Sequence, residues 1–145
     1  MNGAVELLKR SSVIVSPETF SFVSLSRDAW NKLLLDSQLS PRMTVPFMIF
    51  MDGHEVTLML DETDLSNMRR GFSDAKIEED LRLLTFSTVM DLSVVGFMAE
   101  VSRILSDAGI SILPIASFSR DSILIKQDSL AKALRALGPH VDSIC

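Results

Sequence analysis

Two short stretches of this sequence carry residue types that suit the binding of a small charged ligand. The first is segment 87–96, which ends at Gly96 and leads into an amphipathic helical pattern. Free backbone N–H groups at the start of a helix favour an anion such as a carboxylate. Gly96 has no Cβ, which allows a ligand or a neighbouring strand to approach the backbone closely. Tight packing of the helix on a sheet is the alternative explanation of this glycine.

The second stretch contains Asp121, at the start of the last predicted strand. Asp is depleted in strands and favoured in turns, so a turn-forming aspartate is one interpretation. The other is a carboxylate that pairs with the cationic group of a ligand held near Gly96. An amino acid carries the matching pair of charges, and charge-assisted hydrogen bonds at both ends would orient it.

The sequence lacks the residue patterns typical of catalysis or metal binding. His54 and His140 are the only two histidines and lie far apart, and there is neither a Gly-x-Ser-x-Gly motif nor a Gly-rich phosphate loop. Asp52 and His54 flank a turn glycine, which favours a solvent-facing hairpin tip over an acid–base pair. Cys145 is the single cysteine, so no intrachain disulfide or thiolate zinc site is available. We expect no enzymatic activity, no metal and no cofactor.

Composition narrows the class of protein further. The 145 residues are 47% hydrophobic and 23% charged, with a net charge of -5. This excludes disorder over most of the chain and makes nucleic acid and anionic membranes poor partners. No apolar run approaches the roughly 20 residues that span a bilayer, and the first ten residues do not resemble a signal peptide. We expect a cytoplasmic globular protein.

Hydrophobic periodicity predicts the elements that must position these residues. In the first half it predicts strands at 13–15 and 20–25, a helix at 29–35, a hairpin of 45–51 and 54–60 around Asp52-Gly53, and a short helix from Asp61 to Met68. In the second half it predicts a polar connector at 74–80, a strand at 81–86, a helix from about Val94 to Ala108, strands at 110–115 and 122–125, and a helix capped by Asp128.

Capping residues refine the second half. Ser93 or Asp91 is expected to cap the start of the long helix, and Gly109 to end it. Pro114 indicates an edge strand or a bulge, and the tail to Cys145 is expected to fray. The order strand–helix–hairpin–helix occurs twice, so we predict an α+β fold with an N-terminal unit at 1–74 and a second unit at 75–145.

The second half resembles a known family. Met90-Asp-Leu-Ser-Val-Val-Gly96, Ala99 to Ser111 and Ile115-Ala-Ser-Phe-Ser-Arg-Asp-Ser-Ile-Leu-Ile125 are similar to the C-terminal ACT domain of small tandem-ACT proteins. That group includes the CASTOR-type arginine sensors, with aspartate kinase regulatory domains as more distant relatives. Ala116, Arg120 and Ser122 stand where the family has a Ser, a Thr and an aromatic residue.

The resemblance implies a ferredoxin-like βαββαβ fold, two ACT units packed side by side, and an amino acid bound at an ACT–ACT interface. The ligand-binding residues that it implies are Val95, Gly96, Phe97, Ser117, Phe118, Ser119 and Asp121. The partners would be a small-molecule amino acid and either a second copy of the chain or a regulated protein. We therefore expect a non-catalytic sensor. The alternative is a structural module that acts through protein–protein contacts and has a vestigial pocket.

Overall fold

The structure is a computed structural model that describes residues 3–145. The helices are α1 (Gly3–Lys9), α2 (Arg27–Leu33), α3 (Glu62–Met68), α4 (Phe97–Asp107) and α5 (Leu130–Leu137). The strands are β1 (Ser12–Val15), β2 (Phe20–Leu25), β3 (Met48–Met51), β4 (Val56–Asp61), β5 (Lys76–Phe86), β6 (Leu113–Ala116), β7 (Asp121–Lys126) and β8 (Ser143–Ile144). Among the described residues, no helix has the length and hydrophobicity needed to cross a membrane.

The chain forms two compact units that are interleaved in sequence. One unit is Glu18–Leu81, and the other combines the described residues up to Pro17 with Arg82–Cys145. This division differs from the sequential one at 74/75 expected from the sequence; residues 1 and 2 lie outside the described part of the chain. The reason is that β1 pairs with the end of β5 (Val13 opposite Phe86), so the first segment supplies a strand to the second unit.

The unit Glu18–Leu81 contains β2, α2, β3, β4, α3 and the first half of β5 in that order, with the sheet order β3-β4-β2-β5. Strand β2 has the predicted bounds because its apolar residues Phe20, Val23 and Leu25 are buried in the sheet. The predicted hairpin is confirmed, with Met51 opposite Val56. Its loop has four residues, because the Asp52 carboxylate accepts hydrogen bonds from the two amides that precede Val56.

Side-chain caps define the two helices of this unit. The Ser26 hydroxyl accepts a hydrogen bond from the Ala29 amide at the start of α2, at 3.1 Å. The Asp61 carboxylate caps α3 by accepting from the Asp64 amide at 2.9 Å, as predicted. Asp61 and Asp64 are 5% and 1% exposed, and both bind the guanidinium of Arg42. This ion pair attaches the loop between α2 and β3 to the start of α3.

The prediction of a polar connector at 74–80 is wrong, because β5 already begins at Lys76. Glu78, Glu79 and Asp80 are exposed, as the sequence indicated, but they belong to the strand. The pairing of β5 with β2 shifts register between Phe20 and Phe22, and Asp80 has a φ of +60°. The β-bulge, the positive φ of Asp80 and the charged, solvent-facing side chains interrupt the alternation of apolar and polar residues. Hydrophobic periodicity therefore does not predict this part of the strand.

The second unit has the sheet order β6-β7-β5-β1-β8. Helices α1, α4 and α5 contribute to its core. There the rings of Phe86 and Phe97 pack edge to face, with their centroids 5.5 Å apart. Pro114 lies in the edge strand β6, as expected. The C-terminal tail is not frayed: β8 pairs in parallel with β1, and the Cys145 amide donates to the Val13 carbonyl at 2.8 Å.

Both units therefore combine helices with a four-stranded core of the same spatial order, in which a hairpin stands at one side of a central strand, β2 in the first unit and β5 in the second, and a further strand stands at the other side. In the second unit that further strand is β1. This is the mixed α+β, ferredoxin-like arrangement expected from the sequence.

Candidate functional site

Helix α4 begins at Phe97, so the prediction of a start near Val94 with Gly96 inside the first turn is wrong. Gly96 is the residue before the helix, with a φ of +86°. A Cβ at this position would meet only the Ala4 Cβ, at 4.0 Å, so close packing does not explain the glycine. The left-handed backbone does, because residues other than glycine rarely adopt it. No side chain caps α4 within the described residues.

The loop before α4 is folded by its own polar residues. The Asp91 carboxylate accepts hydrogen bonds from the Ser93 amide, at 2.8 Å, and from the Ser93 hydroxyl. These bonds lower the pKa of Asp91, the hydroxyl having the larger effect. Asp91 and Ser93 therefore form a turn within the loop. The prediction that one of them caps α4 is wrong, because neither side chain bonds to the start of the helix. The helix end is as predicted: amides of Gly109 and Ile110 bond to the carbonyls of Ser106 and Leu105, around a Gly109 φ of +75°.

The turn between β6 and β7 faces this loop. It is closed by the Ser117 amide, which donates to the Arg120 carbonyl at 2.9 Å. Two bonds join turn and loop: the Met90 amide donates to the Ser119 carbonyl at 2.8 Å, and Arg120 Nε donates to the Ser87 carbonyl at 3.1 Å. The backbone of the turn is thus held against the backbone of the loop.

A cavity of about 400 Å³ lies between the loop, the start of α4 and the turn. The predicted residues that line it are Gly96, Phe97, Ser117, Phe118, Ser119 and Asp121. Val95 is not among the lining residues, and its side chain is 83% exposed. Gly96 and Asp121, the two residues singled out from the sequence, therefore border one cavity.

The cavity presents opposite polarities at its two sides. The amides of Phe97, Met98 and Ala99 precede the first intrahelical bond, from the Glu100 amide to the Gly96 carbonyl, and so form the positive end of α4. Asp121 is half-buried, and no described residue donates a hydrogen bond to its carboxylate or forms an ion pair with it. Burial raises the pKa of this carboxyl. An anionic group fits beside the amides, and a cationic group fits beside Asp121.

The other lining residues were not among the predicted ligand-binding residues: Met90, Asp91, Leu92, Val94, Met98, Ala99, Ala116 and Arg120. The first four lie in segment 87–96, and Ala116 and Arg120 are two of the positions at which the chain departs from the ACT pattern. Met98 and Ala99 follow Phe97 in the first turn of α4, so a correct helix start would have identified them. The apolar residues of the loop carry no comparable signal, because their pattern resembles the beginning of a buried helix.

The other candidate for chemistry, the hairpin tip, is the solvent-facing turn that the sequence favoured. Asp52 and His54 are both exposed there. Hydrogen bonds from the amides of His54 and Glu55 lower the pKa of Asp52, which serves to close the loop. Within residues 3–145, no group of three or more His, Cys, Asp or Glu side chains is arranged to hold a metal ion.

Part of the sequence and the fold as a whole resemble known proteins. Residues 76–138 match the ACT domain family. No curated protein sequence matches the chain. Among solved structures, a protein of Agrobacterium tumefaciens is 15% identical, with a TM-score of 0.72 over 94% of this chain and 92% of its own.

Two aspartate kinase structures share the fold as well. A putative C-terminal regulatory domain from Porphyromonas gingivalis is 19% identical, with a TM-score of 0.62 over 90% of this chain and 96% of its own. The regulatory subunit of aspartate kinase from Thermus thermophilus, in a ligand-free form, is 14% identical, with a TM-score of 0.62 over 92% of this chain and 98% of its own. Residues 76–138 are therefore similar to the ACT domain family, and the chain shares the fold of aspartate kinase regulatory domains.

Proposed function

We propose that this protein is a non-catalytic amino-acid sensor. The observation that supports the proposal is that the unpartnered Asp121 carboxylate and the uncapped start of α4 border the same cavity of about 400 Å³. The ligand's α-carboxylate binds the amides of Phe97, Met98 and Ala99, and its ammonium group pairs with Asp121. Both are charge-assisted contacts, so they fix the orientation of the ligand as well as holding it.

Ligand binding would act through the loop and the turn. The loop and the turn are joined by the hydrogen bonds from Met90 to Ser119 and from Arg120 to Ser87. A ligand that contacts both sides stabilises the conformation in which they are close, and can shift the population only to the extent that it binds that conformation better. The turn is thus the element that transmits occupancy to a partner protein.

We further propose that an ACT surface of a second molecule closes the cavity, which makes it an interface pocket. Exposed apolar side chains support this, because Leu92 and Phe118 line the cavity and are fully exposed, and Val89 and Val95, in the loop before α4, are 62% and 83% exposed. Clustered exposed apolar side chains are typical of interaction sites. Such a sensor would work in the cytoplasm, where the single free thiol, Cys145, stays reduced.

A thermal-shift screen of the twenty amino acids at millimolar concentration tests the proposal. At least one should raise the melting temperature, since a ligand that binds only the folded state stabilises it. Asp121→Asn should abolish the shift. Asp128→Asn, which changes an exposed aspartate outside the cavity, is the matched control and should retain it. A screen without any stabilising amino acid would refute the sensor function.

One observation favours the alternative, a structural module. Strand β3 is an edge strand whose Ile49, Phe50 and Met51 are 42%, 58% and 49% exposed, and it contains neither proline nor charge. Such an edge is a template for pairing with another strand. Light scattering would detect a dimer that Ile49→Lys dissociates and that Leu113→Lys, on the proline-containing edge strand β6, leaves intact.

A further inference from the structure

We infer that the ligand's side chain is uncharged and apolar, of the leucine or methionine class; this rests on the proposed function, binding of an amino acid in the cavity. The groups that line the cavity support this assignment. Each charged group is either matched by a charge of the ligand or already hydrogen-bonded, and the remaining walls contact the ligand's side chain.

Three charged residues line the cavity: Asp91, Arg120 and Asp121. Asp121 has no partner among the described residues and matches the ligand's ammonium group. Arg120 uses Nε to bind the Ser87 carbonyl, which leaves its other nitrogens for the α-carboxylate beside the start of α4. These two residues therefore match the two backbone charges that every free amino acid carries.

Asp91 is the remaining charge, and it is already committed. It is exposed, and its Oδ1 accepts both hydrogen bonds from Ser93. An ion pair with so exposed a carboxylate contributes little, so Asp91 does not select a cationic side chain. An anionic side chain would find no cation besides Arg120, which the α-carboxylate engages.

Two serines and a set of apolar residues form the other walls, and the Ser117 hydroxyl is already hydrogen-bonded to the Arg120 backbone, which leaves Ser119 as the one further polar side chain of the lining. Met90, Leu92, Val94, Met98 and Phe118 line the cavity, and Leu92 and Phe118 are fully exposed. An apolar ligand side chain removes that surface from water, whereas a charged one is desolvated against it at a cost. Methionine is flexible and polarisable, so Met90 and Met98 can adapt to side chains of different branching.

The test uses two ligands of similar length and different charge, norleucine and lysine. Methionine and arginine serve as a second such pair. In calorimetric titrations of the full chain with each of the four ligands, the Kd values of norleucine and methionine should be at least about tenfold lower than those of lysine and arginine. Lysine or arginine binding as tightly as norleucine would overturn the inference and leave the proposed sensor function standing. If none of the four binds, the inference fails, and the proposed function fails with it only when the screen of the twenty amino acids also gives no stabilisation.

A wall substitution provides a second test. Met98→Glu puts a carboxylate in the apolar wall, at the start of α4, where an acidic residue is compatible with the helix. It should weaken norleucine binding and strengthen lysine binding. Met43→Glu, at an 81% exposed position outside the cavity, should preserve the original preference. An unchanged norleucine-to-lysine ratio in Met98→Glu would contradict the assignment of this wall to the side chain.

Discussion

At the scale of single residues, Gly96 determines how the start of α4 faces the cavity. Its φ of +86° is strained for any residue with a Cβ, while the space around it is open. Gly96→Ala should therefore lower the free energy of unfolding by about 1 to 2 kcal/mol and weaken ligand binding. Denaturant unfolding and calorimetry measure the two effects.

Gly53→Ala is the control for that substitution. Gly53 also has open space around it, and its φ is not positive, so an alanine is tolerated there. Equal stability of the two variants would contradict the conformational explanation of Gly96.

Asp121 should make the stability of the protein depend on pH in a specific direction. Burial raises the pKa of its carboxyl in the folded state, so the ionised form is disfavoured there. The contribution of Asp121 to stability then falls as pH rises from the ordinary carboxyl range through the raised pKa, and is restored as pH falls. Asp121→Asn removes this penalty, so the unliganded variant should be more stable at pH 7, and the difference should vanish in acid.

Thermal unfolding of both proteins between pH 3 and pH 8 measures this difference. A purely structural Asp121, held by partners in the fold, would give the opposite sign, with Asp121→Asn less stable at neutral pH. A ligand-binding carboxylate is expected to reduce stability when no ligand is bound.

At the scale of elements, the loop between α2 and β3 depends on one arginine. Arg42 Nε lies 2.9 Å from Asp64 Oδ1, and the guanidinium also binds Asp61, so two buried carboxylates share one cation. Arg42→Ala leaves both without a counter-charge, which is strongly destabilising for buried groups. The melting temperature should fall markedly more than in Arg69→Ala.

Arg69 is the matched control because its ion pair with Glu79 is 3.7 Å long and both side chains are about half exposed. Exposed pairs of this kind contribute little. If Arg42→Ala and Arg69→Ala melted at the same temperature, the ion pair would not be what anchors the loop.

Local patterns predicted most elements of this fold and failed where the environment overrides them. The alternation of 20–25 and the face of α4 are properties of the sequence itself, so they were predictable. Residues 76–80 were not, since their exposed acidic side chains form a strand only through pairing with β2. Asp128 illustrates a similar failure: a short 3-10 helix precedes α5, and no side chain caps it.

The candidate site was predicted from the sequence to a similar degree. Gly96 and Asp121 carry local signals, a glycine in the first turn of a predicted helix and an aspartate at a strand start, and both line the cavity. Arg120 carries no such local signal, because its role depends on a hydrogen bond to Ser87, 33 residues away. Contacts between distant segments leave no trace in spacing.

At the scale of the whole molecule, the interleaved division makes a direct prediction. Fragment 75–145 contains the matched ACT residues, but it lacks α1 and β1, whose Ala4, Leu8 and Val13 are buried in the core of that unit. The fragment alone should not fold cooperatively, and a peptide of residues 1–17 should restore structure by pairing with β5. Circular dichroism of the fragment, with and without the peptide, measures this.

Fragment 18–81 provides the comparison, because it contains all of the strands β2, β3 and β4 and the first half of β5. It should retain more structure than fragment 75–145. Cooperative unfolding of fragment 75–145 without the peptide would favour the sequential division instead.

The most direct test of amino-acid binding in this cavity is an NMR titration of the labelled full chain with norleucine, observing backbone amides. We expect saturable shifts at Phe97, Met98, Ala99 and Asp121, and their loss in Asp121→Asn. Unchanged amides at these positions, or shifts confined to strands β2 to β4, would contradict it.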